Sequence, residues 1–156
     1  MINGFKRRTQ MQKLSRVCAA LVIGLSVMLL GTPGAIAALS HAPDTARAYI
    51  ISPTDGDTVP SEFTVKFGLS GMGVAPAGID KDGTGHHHLL IDVDQLPPLT
   101  EPLQATAQVK HFGGGQTETT LALPPGEHSL QLLLGNYSHV PHDNPVLSEK
   151  ILVTVK

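Results

Sequence analysis

Cysteine occurs once in this 156-residue chain, tryptophan not at all, and the aromatics amount to four phenylalanines and two tyrosines. The single cysteine, Cys18, sits in an apolar N-terminal run. Any domain downstream of that run has no disulfide and no thiolate metal site, and it holds together by packing alone. Interleaved aromatic and basic residues are missing, which argues against a nucleic-acid surface. No stretch after Ala37 carries a 3.6-residue apolar period, so a helical core is excluded. No serine stands in a Gly-x-Ser-x-Gly elbow, and there is no cysteine nucleophile. Gly113-Gly114-Gly115 is not followed by Gly-Lys-Ser/Thr, so it is not a phosphate loop.

What is present begins with an export signature. Lys6, Arg7, Arg8, Lys13 and Arg16 form a positive region, Val17 to Leu30 is apolar, and Ala35-Ile36-Ala37 is a small-x-small cleavage site. The apolar run is shorter than the ~20 residues of a membrane span. The sequence therefore predicts a signal peptide over 1–37, no transmembrane segment in the mature chain, and a periplasmic or secreted product. Cleavage removes five of the eleven cations and none of the thirteen acids, leaving a net charge of −7 with neutral histidine. That charge repels nucleic acid and anionic lipid.

Residues 38–46 read as a flexible lead-in to a single domain over 47–156. Strand signals follow at Ala48–Ser52, Glu62–Leu69, His87–Val93, Gln104–Lys110, Thr117–Leu123, His128–Leu134 and Ser148–Val155, separated by Gly/Pro turns. In the second, Phe63, Val65, Phe67 and Leu69 share one face. In the third, Leu89, Ile91 and Val93 face one way, and His86, His88, Leu90 and Asp92 the other. About seven short strands predict an all-β fold, an immunoglobulin-like or fibronectin-type antiparallel β-sandwich.

Six of the eight histidines fall in three clusters: His86-His87-His88, His111, and His139 with His142. If successive strands reverse direction, the loops carrying these clusters share one end of the sandwich. This requires Gln104–Lys110 to cross the sandwich. Imidazole is the commonest metal ligand and titrates near neutrality. His86 and His88 form a chelating arm on one strand face, and His139 and His142 form a second. With His111 they make a candidate site for Zn²⁺ or Cu²⁺. Met72, the one methionine left after cleavage, offers a thioether that would favour copper, or else fills a gap in the core. Asp92, Glu118 and Asp143 are candidates to hold the ring N–H groups. Affinity should fall below about pH 6 as rings protonate. His87, facing with Leu89, reads as a core residue rather than a ligand.

Other readings of the same rim stand beside this one. Loop histidines also tie irregular backbone through hydrogen bonds without any metal. The module would then be a structural or adhesion element of the cell envelope that binds a glycan, peptide or protein. A metal-dependent hydrolase would need an open coordination position and a base such as Glu118. No catalytic residue is assigned. Gly85-His86-His87-His88-Leu89-Leu90-Ile91-Asp92, His111-Phe112-Gly113-Gly114-Gly115-Gln116-Thr117-Glu118 and Ser138-His139-Val140-Pro141-His142 resemble the motifs of an exported bacterial family, domain of unknown function 4399. The resemblance implies a small exported single-domain protein and carries over no activity, cofactor or catalytic residue.

Overall fold

Period-two alternation builds both sheets. In the computed structural model, which describes residues 39–156, β1 (Arg47–Ser52), β3 (Glu62–Ser70) and β7 (Glu118–Ala122) form one sheet in the order β1-β3-β7. The second sheet has six strands. Its order is β2 (Thr58–Val59), β9 (Ile151–Val155), β8 (Gly126–Gly135), β5 (Thr84–Ile91) and β4 (Gly73–Val74), with β6 (Val109–His111) also on β5. The expected export signal over 1–37 lies outside the described residues. Among those described there is no helix long and apolar enough to cross a membrane.

One core lies between the sheets. Ala48, Phe63, Val65, Phe67 and Leu121 enter it from the first sheet, and Leu89, Ile91, Leu130, Leu132, Leu134, Val153 and Val155 from the second. The fold is thus the expected all-β sandwich. It is not wholly antiparallel, because β2 runs parallel to β9 and β4 parallel to β5.

The proline-rich stretch after β5 departs most from expectation. Gln104–Lys110 was expected as a strand, but only Val109–His111 pairs. Pro97, Pro98 and Pro102 keep the preceding residues out of a ladder as well. Just before β6 the Thr106 hydroxyl accepts from the Gln108 and Val109 amides at 3.2 and 3.0 Å, closing a turn. This stretch instead lies across the outer face of the second sheet. There Leu103 packs with Leu90 and Leu133, flanked by Val93, Leu99, Val109 and Leu147, in a second, smaller core.

The lead-in is also held in place. Ala42 is fully buried. The Asp143 carboxylate contacts His41 Nδ1 at 3.0 Å and accepts from the Ala42 amide at 3.2 Å, while the Asp143 amide donates to Ser40 at 3.0 Å.

Candidate metal centre

Alternation along β5 sends His87, Leu89 and Ile91 toward the main core and His86, His88 and Leu90 outward. The His86 and His88 rings stand 4.9 Å apart, centroid to centroid. Register brings the third ring. His111 lies opposite His88 across the β5–β6 ladder, and its ring is 5.1 Å from both His86 and His88. The fourth ring comes from the turn after β8, whose last residue, Gly135, faces His86. The Asn136 side-chain oxygen accepts from the Ser138 and Val140 amides at 2.9 and 3.1 Å, and the His139 amide donates to the Asn136 carbonyl at 2.9 Å. This tight turn holds His139 at φ 69°, a left-handed conformation that costs a non-glycine residue of order 1 kcal/mol. It sets the His139 ring 5.1 Å from His86 and 4.7 Å from His111.

Two glycines make room for these rings. A Cβ on Gly135 would stand 2.8 Å from His88 Cε1, and one on Gly113 would run into the His111 ring. The second of these gives the triple-glycine turn a steric reason: the backbone passes directly against an imidazole.

Donor atoms of His86, His111 and His139 all lie within 4.8 Å of one another. The group is graded in exposure: His86 and His88 are fully buried, His139 is half-buried and His111 is exposed beside a cleft of about 460 Å³ between β6 and β7. Neither nitrogen of His86 or His88 has a hydrogen-bond partner. Buried polar atoms left unpaired cost roughly 1–3 kcal/mol each, which calls for a ligand to explain them. Burial first, then the nearby rings of His139 and His111, pushes His86 down to about 4. Burial and then His86 and His111 push His88 to about 3. The Leu133 backbone offsets this slightly, although it lies outside hydrogen-bonding geometry with either His88 nitrogen. His111 is lowered by burial and by His139. Lowered values keep these rings neutral at pH 7, with a lone pair free on each for a cation.

The family described as Domain of unknown function (DUF4399) matches residues 65–156. The chain belongs to DUF4399. No curated protein matches it, and no solved structure does. The DUF4399 region runs from within β3 to the C-terminus, so it contains all four clustered rings and every strand that carries them.

The remaining residues singled out in the sequence lie elsewhere in the DUF4399 fold. His142 is buried; its Nε2 donates to the Thr84 carbonyl at 3.2 Å while its Nδ1 has no hydrogen-bond partner, and although it acts electrostatically on His86 no ring contact joins it to the four. Met72 packs against the main core. Asp92 sits at the far end of β5, where its carboxylate contacts His128 Nδ1 at 2.7 Å and accepts from the Ser129 amide at 2.9 Å. Glu118 belongs to the other sheet, opposite Lys66, and bonds none of the rings. Asp143 ties down the lead-in instead. His87 packs on Phe67 in the main core at 5.4 Å, and burial pushes it down to about 4. Its two nitrogens are unpaired, and the cluster on the other face does not explain them.

What sequence reasoning missed is that the rings meet on a sheet face rather than at a rim. It expected them on an open rim. They lie on the outer sheet face beside Leu103, whose amide donates to the His139 carbonyl at 3.0 Å, with His86 and His88 buried and His111 exposed. The apolar residues at Leu99, Leu103 and Val109, spaced through a proline-rich loop, were the available signal.

Proposed function

We propose that this protein is an exported binding protein for a transition-metal ion, zinc or copper, held by His86, His111 and His139. The observation that supports this is the approach of three imidazole donors, from three separate segments of chain, to within 4.8 Å of one another. Neutral imidazole suits both ions. The orphaned nitrogens of His86 fit the same reading, since a coordinated cation would satisfy one of them. The basic N-terminal segment followed by an apolar run and Ala35-Ile36-Ala37 supports export to the periplasm or beyond.

Equilibrium dialysis of the mature domain against zinc or copper at pH 7.5, with metal analysis, tests the reading. Uptake of about one ion per chain is expected, and its loss in His86→Ala. Absence of stoichiometric uptake, or uptake unchanged in that variant, would count against it.

A further inference from the structure

We infer that His88 completes a closed, tetrahedral shell of four imidazoles with His86, His111 and His139, matched to Zn²⁺ rather than to Cu²⁺; this rests on the metal-binding reading above. Four rings bound through nitrogen at about 2.0 Å place their centroids about 5 Å apart if tetrahedral; a square plane gives about 4.5 Å between neighbours and about 6.3 Å across both diagonals. Five of the six ring pairs stand at 4.9, 5.1, 5.1, 5.1 and 4.7 Å. Only His88–His139 is longer, at 6.2 Å. A square plane needs two such pairs. The donor atoms of His88 stand outside the mutual 4.8 Å approach of the other three, so this ring must turn toward the ion to close the shell.

The chemistry of the pocket agrees. Both His88 nitrogens are buried and without a hydrogen-bond partner, so the ring has a donor to offer. Gly135 holds it there, because any side chain at that position would strike its Cε1–Nδ1 edge. A d¹⁰ ion has no ligand-field objection to this geometry, whereas Cu²⁺ prefers a tetragonal plane. Four protein ligands also leave no position for an activated water, which separates this centre from hydrolytic zinc sites. Among the described residues no carboxylate bonds any of the four rings, so no general base stands ready. The site holds its ion; it does not present it for catalysis.

Two measurements decide this. Cobalt(II) bound to the purified protein should show the intense visible bands of four-coordinate cobalt. His88→Ala should replace them with weak bands of higher coordination and weaken zinc binding at least about tenfold, the loss that even an outer-shell partner can cause. His142→Ala should leave the spectrum unchanged. X-ray absorption of the zinc-loaded, unaltered protein needs no variant to fold, and should show four imidazole nitrogens at about 2.0 Å. Cobalt bound with a weak six-coordinate spectrum, or a zinc shell of three nitrogens and a water oxygen, overturns the closed shell while leaving the metal-binding reading intact. Uptake of neither ion overturns both.

Discussion

A single methyl group distinguishes a glycine that can sit beside the cluster from a residue that cannot. Gly135→Ala brings a Cβ to 2.8 Å from the His88 ring, and the neighbouring His139 carbonyl carbon is at 3.3 Å, so neither side can yield freely. We expect a loss of roughly 1–3 kcal/mol in urea unfolding, the usual cost of overpacking, together with weaker zinc binding. His142 offers the contrasting case. His142→Ala removes a buried ring bonded to Thr84 and should destabilise the fold by about 1–3 kcal/mol, yet change zinc affinity less than threefold by competition titration. At this scale the sequence was informative about facing and poor about partnering. Alternation along one strand separates His86 and His88 from His87, and it needs no tertiary information. Asp92, Glu118 and Asp143 were singled out because they lie close in sequence to the histidines. Each carboxylate's direction is set by a neighbour the sequence does not announce: His128 and Ser129 for Asp92, His41 and Ala42 for Asp143.

Strands and their coverings act as units. β5 is central to the site because β6 and β8 pair with it in register, and β8 runs on from Gly135, opposite His86, into the turn that carries His139. Part of its outer face is covered where the loop after it folds back, so that Leu99 and Leu103, with Val109 of β6, pack over Leu90 and Leu133. Leu103→Ala should therefore cost about 2–4 kcal/mol through the cavity it leaves. It should also loosen the packing over Leu90 and Leu133, seen as faster hydrogen exchange of the Leu89 and Leu133 amides. The lead-in provides a separate unit. Asp143→Ala removes the acceptor for the Ala42 amide, so exchange at Ala42 should speed up while zinc binding is retained. Strand periodicity made β1, β3, β5, β7, β8 and β9 legible, give or take a few residues at their ends. The two-residue strands β2 and β4 were not legible, since so short a pairing has no period to detect. Gln104–Lys110 pairs only at its end, in β6, because the residues before Val109 belong to a loop and turn rather than to a strand.

The whole molecule couples the buried rings to its own stability. His86, His87 and His88 take up protons near 6.5 when the chain is unfolded, but burial holds them near 4, 4 and 3 in the fold. Between pH 6.5 and about 4 the unfolded chain binds more protons, so stability falls as pH falls, by roughly 1.4 kcal/mol per pH unit for each ring. Urea midpoints of the metal-free protein at pH 7.5, 6 and 5 should drop in that order. A cation bound only by the folded state adds about 2.7 kcal/mol at a hundred times its dissociation constant, and chelator should remove that gain. What the linear sequence determined by itself was the all-β class, the inward and outward faces of the long strands, and the identity of the donors, because side-chain period and residue chemistry are local properties. Only the tertiary structure decided which imidazoles meet. That choice depends on ladder register, on one left-handed turn at His139 and on a folded-back cover, each of which sets distances between residues tens of positions apart.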